Sequence, residues 1–253
     1  YNQGEPYGLI NLRLARSCGR LGEIHYPDPN VVVFNPCAEQ SLENYETCCL
    51  SEIYLPNIES KEEFFKILSL TYRVNKHSLN LHCSIKETES IVHRNQRMGI
   101  GVTGVLQASE EQLSWLADGY SYLRELDKEY SAFKGWPTSI KLTTIKPSGT
   151  LSLLAGVTPG AHPNPAGPYY IRTIRIAANS PLLSVCKEHG YKIEPQLNFD
   201  GSADNNTMVV SFPCKVPEHT PVAATFGWKQ QLEVVKRLQS EWSDNSVSCT
   251  VYY

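Results

Sequence analysis

Three short stretches of the sequence combine side chains that can do chemistry. Asn35-Pro36-Cys37-Ala38-Glu39 sets an amide, a thiol and a carboxyl on alternate residues. In an extended segment such residues point to one side, so all three are expected to face one ligand. A neighbouring carboxylate raises a thiol's pKa and makes thiolate scarce, which disfavours ionic nucleophilic catalysis. Hydrogen-atom chemistry needs no thiolate: a neutral S–H gives up a hydrogen atom and takes one back, while the carboxylate serves as base for a nearby hydroxyl. The same pentapeptide also suits a cysteine packed as a small hydrophobe beside a surface glutamate. The second stretch, Pro147-Ser148-Gly149-Thr150, reads as a turn entering a helix. Such a turn presents backbone N–H groups and two hydroxyls to an anion such as phosphate, or simply caps the helix. The third, Gly99-Ile100-Gly101-Val102-Thr103-Gly104, matches the dinucleotide pattern G-x-G-x-x-G, but the polar run from Glu87 to Met98 before it does not read as a strand. These glycines are expected instead to let a strand or turn approach its neighbours closely.

The rest of the composition narrows the field. Lys and Arg number 23 against 26 Asp and Glu, a net charge of −3, so no basic excess argues for nucleic acid or an anionic membrane surface. A small substrate is expected. No apolar run approaches the ~20 residues of a membrane helix, and the opening Tyr-Asn-Gln-Gly-Glu-Pro is not a signal peptide. The cytoplasm is therefore the expected compartment, and a start without Met together with an end inside an apolar alternating run suggests a partial chain. The eight cysteines, at 18, 37, 48, 49, 83, 186, 214 and 249, form no regular framework and no C-x-x-C. His77 with His82-Cys83, and the Cys48-Cys49 pair, lack zinc spacing, so no metal site is expected.

These residues need elements to position them. Val31 to Phe34 is a continuous apolar run halted by Asn35-Pro36 and is expected to be a buried strand leading into a loop. Ser60 and Glu63 form a capping box before Phe64, Leu68 and Tyr72, predicting a helix over about 61–76. Ser109 and Gln112 do the same for a second helix, broken by Trp136-Pro137. Ile140 to Ile145 alternates as a strand into the Pro147 turn, followed by a short helix, Leu151 to Ala155, closed by Gly156. Thr158 to Pro168 is the one long irregular segment and the best candidate for a functional loop. Tyr170 to Ala177 reads as a strand, Ser180-Pro181 as the start of a helix stopped by Gly190, and Met208 to Phe212 as another strand. A last helix spans Trp228 to Trp242 and a last strand Val247 to Tyr253. Strands alternating with helices predict an α/β protein with a largely parallel sheet.

With these segments in place, the sequence resembles the catalytic half of a ribonucleotide reductase, most of all the adenosylcobalamin-dependent class that acts on ribonucleoside triphosphates. The matching segments are Asn35 to Gln40, Arg97 to Val102, Lys146 to Gly160, Tyr170 to Arg175 and Asp244 to Ser248, in the family's order. The resemblance implies the C-terminal half of a ten-stranded α/β barrel with a central finger loop. Residues 1–253 would form one partial catalytic barrel domain, with the N-terminal half, the allosteric region and a cysteine-bearing tail outside it. It implies that Cys37 carries the thiyl radical that removes the ribose 3′ hydrogen, that Glu39 is the base on the 3′ hydroxyl, and that Asn35 holds the ribose hydroxyls. Ser148, Gly149 and Thr150 would bind the substrate phosphates. The family places a redox cysteine eleven residues after the radical one, which selects Cys48 over Cys49; its disulfide partner has no counterpart in this sequence. Adenosylcobalamin is the implied cofactor, with no contacting residue assignable. The implied partners are a ribonucleotide substrate, a thioredoxin-type reductant and nucleotide effectors bound outside these residues. Asn-Pro-Cys and Pro-Ser-Gly-Thr favour the cobalamin class over the di-iron class. A di-iron reductase large subunit is the alternative within the family. Outside it, a non-catalytic nucleotide-binding fragment would keep Pro147 to Thr150 with no use for Cys37 and Glu39. A cysteine hydrolase would need a histidine base, and no pattern ties any of the seven histidines to Cys37.

Overall fold

The computed structural model describes residues 9–17, 19–21, 28–164, 167–217 and 219–251. The chain divides into two compact units, one of Tyr1–Pro163 with Thr225–Tyr253 and one of Asn164–Ala224.

The first unit is built on a three-stranded parallel sheet. Its strands are β3 (Leu50–Tyr54), β4 (Gly99–Thr103) and β5 (Thr143–Thr144), in the order β3-β4-β5. Before them come a short helix, α1 (Leu12–Ser17), and a two-stranded hairpin of β1 (Val33–Phe34) and β2 (Ser41–Leu42). Three helices, α2 (Lys61–Ser78), α3 (Lys86–Asn95) and α4 (Glu110–Lys134), lie between the parallel strands in sequence, and a last one, α6 (Trp228–Glu241), follows the second unit. Both predicted capping residues act: Ser60 accepts a hydrogen bond from the Glu63 N–H, and Ser109 and Gln112 exchange side-chain and backbone bonds at the start of α4. Each such cap stabilises by roughly 1 kcal/mol. Phe64, Leu68 and Tyr72 on α2 are fully buried and join Leu116 and Leu123 of α4 in the core. The missing side chain of Gly119 brings α4 close to Phe64, whose ring edge lies 2.7 Å from where a Cβ would stand.

The parallel sheet has two chemically different faces. Laterally paired residues share a face, and neighbours along a strand alternate. Ile100 and Val102 of β4, with Ile53 of β3, belong to the core cluster that includes α2 and α4. The other face carries Leu50 and Glu52 from β3, Gly99 and Gly101 from β4, and Thr144 from β5, joined by the registers Leu50↔Gly99, Glu52↔Gly101 and Gly101↔Thr144. The glycines do what the sequence suggested: a Cβ on Gly99 would lie 2.7 Å from Leu50 Cδ2 and 2.9 Å from Thr144 Cγ2.

The second unit is an antiparallel sheet in the order β6-β8-β7, made of β6 (Tyr169–Ala177), β7 (Lys192–Leu197) and β8 (Ala203–Lys215), with helix α5 (Leu182–Glu188) between β6 and β7 in sequence. Asn164 bridges to Val222, accepting a hydrogen bond from Ala223 N and donating its own N–H to Pro221 O, each 2.8 Å.

Several expectations are corrected. The protein is mixed α/β, but among the described residues only one of three sheets is parallel. Val31 to Phe34 is not a buried strand: only Val33–Phe34 pair, and Val32 and Val33 are 48% and 44% exposed while Val31 is buried. The run has a single short partner, β2, so a ladder of two residue pairs is all that forms. Ile140 to Ile145 shortens to β5 plus an isolated bridge from Ile145 to Val247, and that bridge is the only pairing made by the predicted last strand among its described residues. Residues 252 and 253 lie outside the described set. Leu151–Ala155, by contrast, forms the expected short helix, of the 3-10 kind, closed by Gly156 at φ 66°.

Candidate functional site

The loop from Asn35 to Gln40 is a hairpin connection, and its own side chains fold it. The Asn35 and Gln40 backbones pair (Asn35 N–H to Gln40 O, 3.1 Å), Asn35 Oδ1 accepts from the Gln40 N–H at 3.0 Å, and Asn35 O accepts from the Ala38 N–H at 2.8 Å. Ala38 sits in the left-handed region at φ 59°. The stretch is thus a tight turn and not an extended segment. The expected common face for Asn35, Cys37 and Glu39 therefore does not arise from alternation. Asn35 and Glu39 are buried, whereas Cys37 at the tip is exposed.

What seats this turn is Thr144 of the sheet together with segment 246–248. Glu39 O accepts from Thr144 Oγ1 and from the Ser246 N–H, both at 3.0 Å, and Cys37 O accepts from Ser248 Oγ at 2.6 Å. Segment 244–248 is in turn strapped to β5. Asp244 accepts from the Leu142 and Thr143 N–H groups and from Arg124, and Asn245 Nδ2 donates to Met98 O and Thr143 O. The Ser248 N–H reaches Ile145 O at 3.0 Å. Beneath the hairpin, buried Arg97 forks onto Asp28 and donates to Glu46, and both Arg97 and Lys141 donate to Ser41 Oγ of β2. Burial, with Arg97 close by, holds the Lys141 amine below its ordinary pKa. None of Thr144, Asp244, Arg97 or Lys141 was singled out from the sequence for a role. The Arg97 and Asp244 segments were visible only as matching stretches, because a residue that positions another carries no local signature of its own.

Glu39 has a chemical peculiarity. Its carboxylate is 2% exposed and Oε2 has no hydrogen-bond partner, and the next residue, Gln40, is fully buried with neither amide atom paired. Unpaired buried acceptors cost about 1–3 kcal/mol each, and such groups mark places where a ligand or water completes the bonding.

The Pro147 turn starts two residues beyond Ile145, on the strand end to which segment 246–248 is bonded, so the Cys37 loop and this turn hang on the same strap. Ser148 adopts φ 49°, is buried, and its Oγ has no partner, while Ser148 O accepts from Ser152 Oγ at 2.6 Å. A Cβ added at Gly149 meets nothing within 4 Å, so space lies open above it. Thr150 is exposed. Facing the turn from behind is Gly160, whose φ of 52° and whose packing against Lys146 O, which a Cβ would overlap, admit no side chain. Thr158, one end of the predicted functional loop, is buried with Oγ1 unpaired; residues 165 and 166 of that loop lie outside the described set.

Cys48 and Cys49 continue β3 toward its start and point apart. Cys49 Sγ turns to the helix side, 4.0 Å from Asn75 O on α2, and burial, with Cys48 beside it, pushes its pKa up to about 11. Cys48 is exposed. Among the described residues no group of three or more His, Cys, Asp or Glu could hold a metal ion, and no helix is long and apolar enough to cross a membrane.

Comparison with known proteins finds similar sequences and a similar fold. No family model matches the chain. A probable adenosylcobalamin-dependent ribonucleoside-triphosphate reductase of Dictyostelium discoideum is 38% identical over 100% of the chain, and an adenosylcobalamin-dependent ribonucleoside-triphosphate reductase of Euglena gracilis is 37% identical over 99%. A crystal structure of a B12-dependent (class II) ribonucleotide reductase superposes over the whole chain with a TM-score of 0.82 at 29% identity. Along its whole length the chain is homologous to the adenosylcobalamin-dependent ribonucleotide reductases. It spans 33% and 34% of the two reductase sequences and 39% of the reductase structure. The reductase resemblance read from Asn35 to Gln40 and the four later segments is thereby supported along the full chain, and the match in fold confirms the mixed α/β architecture.

Proposed function

We propose that this chain supplies the radical loop and the phosphate turn of an enzyme that reduces ribonucleoside triphosphates to 2′-deoxyribonucleotides, and that it forms the C-terminal half of a ten-stranded α/β barrel. The observation that carries the reading is the pairing, on one turn bonded to the sheet through Thr144, of an exposed thiol with a buried carboxylate that keeps one oxygen unpaired.

The residues present fit adenosylcobalamin at one point: the Cys37 thiol is exposed at a loop tip, accessible to a radical arriving from outside. Adenosylcobalamin, when bound, would supply the organic radical that takes the hydrogen atom of that thiol. The chain's own residues do the rest. The Cys37 sulfur, short of one hydrogen atom, removes the 3′ hydrogen of the ribose. Glu39 takes the 3′-hydroxyl proton, which eases loss of the 2′ hydroxyl as water, and its unpaired Oε2 is the natural acceptor. Asn35 orients the ribose hydroxyls. Two electrons and two protons then come from a dithiol formed by Cys48 and a cysteine beyond this chain, leaving a disulfide, and Cys37 returns the hydrogen atom to C3′, which leaves its sulfur again short of one hydrogen atom. A thioredoxin-type protein reduces the disulfide. Ser148, Gly149 and Thr150 receive phosphate oxygens through the unpaired Ser148 hydroxyl and the open space above Gly149. Nucleotide effectors bind outside these residues, and the enzyme works in the cytoplasm.

The test is deoxynucleotide formation by the full-length enzyme. Activity is expected with adenosylcobalamin and no second subunit, and none with Cys37→Ser, because an O–H bond is too strong for the same transfer. Reduction only with a separate metal-containing radical subunit would overturn the cofactor assignment, and full activity of Cys37→Ser would overturn the mechanism. Cys48→Ser is expected to abolish thioredoxin-driven turnover and Cys49→Ser to preserve it.

A further inference from the structure

The face of the parallel sheet turned away from α2 and α4 carries an ion pair that the proposed chemistry does not use. Glu52, on β3, is buried with a 1% exposed side chain, and its Oε2 lies 3.4 Å from Lys146 Nζ, a long contact. Its other oxygen, Oε1, has no partner. Lys146 reaches Glu52 by crossing β4, and its stem packs closely over the residue between them, Gly101: a Cβ there would stand 3.3 Å from Lys146 Cδ and 3.4 Å from Cγ. The second glycine of Gly99-Ile100-Gly101 thus opens a channel for an ammonium.

The position of that ammonium matters. Thr144, which anchors Glu39 by its hydroxyl, Lys146, and Ser148, with its unpaired hydroxyl, follow one another at every second residue along the chain. Along the chain Lys146 therefore falls between the anchor of the carboxylate and the turn. A phosphate chain carries several negative charges, while Ser148, Gly149 and Thr150 offer hydroxyls and amides but no cation. A carboxylate with one loose ammonium contact and one bare oxygen is an incompletely satisfied partner, and an anion of higher charge competes with it effectively. Resting on the ribonucleotide reading of this face, we propose that Lys146 is the cation that binds the phosphate chain of the substrate, parked on Glu52 across the Gly101 gap while the site is empty.

The two members of the pair are then expected to change affinity in opposite directions. In the full-length protein, calorimetric titration with CTP and with cytidine separates phosphate recognition from recognition of the nucleoside. Lys146→Met is expected to weaken CTP by ~10- to 100-fold, the worth of one hydrogen bond to a charged group, and to leave cytidine unchanged. Lys146→Arg keeps the charge and is expected to stay within ~5-fold of the parent for CTP. Glu52→Gln removes the competing carboxylate and is expected to tighten CTP several-fold, with a melting temperature near that of the parent. Unchanged CTP affinity in Lys146→Met, with Ser148→Ala weakened, would overturn the role of Lys146 while the phosphate turn stands. Equal losses for CTP and cytidine, or weaker CTP binding in Glu52→Gln, would also overturn it, the first by showing a structural effect and the second by showing that Glu52 supports the anion. A parent protein that binds neither ligand would instead remove the ribonucleotide reading, and the proposal with it.

Discussion

At the scale of single residues, burial assigns the work. Glu39 and Cys37 are two apart on one turn, yet one is 2% exposed and the other open to solvent. General-base catalysis contributes typically 100- to 10,000-fold, so Glu39→Gln in the full-length enzyme is expected to slow reduction by about that factor with CTP affinity nearly intact; a change under tenfold in kcat would deny Glu39 the base role. Cys48 and Cys49 differ in the same way. A thiol reacts as its thiolate, and Cys49, with its pKa pushed up to about 11 by burial, holds almost none at pH 8. Iodoacetamide at pH 8, followed by peptide mass mapping, is expected to label Cys48 well before Cys49. Faster labelling of Cys49 would reverse the assignment of faces.

At the scale of elements, alternation along β4 separates stability from chemistry. Ile100 is fully buried in the core, and Ile100→Ala is expected to cost roughly 2–5 kcal/mol in denaturant unfolding. Gly101→Val, one residue on, crowds Lys146 and the Ser51 carbonyl; overpacking of this kind costs about 1–3 kcal/mol, and the larger loss is expected in CTP affinity. If Ile100→Ala proved the worse binder of CTP at equal folded fraction, the division of faces would be wrong. Much of this layout was legible in the sequence. The caps at Ser60 and Ser109 and the apolar spacing of α2 and α4 are local signals, and local signals survive folding. The close-approach role of Gly99 and Gly101 was legible too. What was not legible depended on partners distant in sequence: β5 and the Val31 run shrink because a strand is only as long as its ladder. Strand β7, with Pro195 and three charged or amide side chains, has weak strand propensity and is held by β8, with a register shift between Pro195 and Gln196. The tightness of the Cys37 turn was hidden as well, since it is the Asn35 side chain, spent on the Gln40 N–H, that folds it.

At the scale of the whole molecule, buried ionisable groups couple stability to pH. Burial, reinforced by Asp127, raises the Tyr72 pKa, and burial, reinforced by Asp244, raises that of Tyr120; Cys49 rises from 9.0 to about 11. Each stays protonated in the folded state where the unfolded chain has already ionised, so stability present below the unfolded pKa is lost as pH climbs. For Cys49 the window runs from about 9 to about 11. Lys76 and Lys141 have the opposite sign: burial lowers both, and their cost to the folded state is relieved as pH rises toward 10.5. The Cys49 part can be isolated by urea midpoints of the parent and Cys49→Ala at pH 8 and 11, where the variant is expected to lose less stability; parallel losses would show that the thiol is not desolvated. A different long-range property follows from the hydrogen bonds that join Asn164 to Pro221 and Ala223. The unit from Asn164 to Ala224 starts and finishes at a single point, like a cassette spliced between two adjacent nucleotides. The entropy of closing such a detour grows only with the logarithm of its length, about 0.6 kcal/mol per doubling. Insertions and deletions beyond that neck therefore leave the threading of the remaining chain intact, and evolution is free to lengthen, trim or exchange the cassette without rewriting the radical loop.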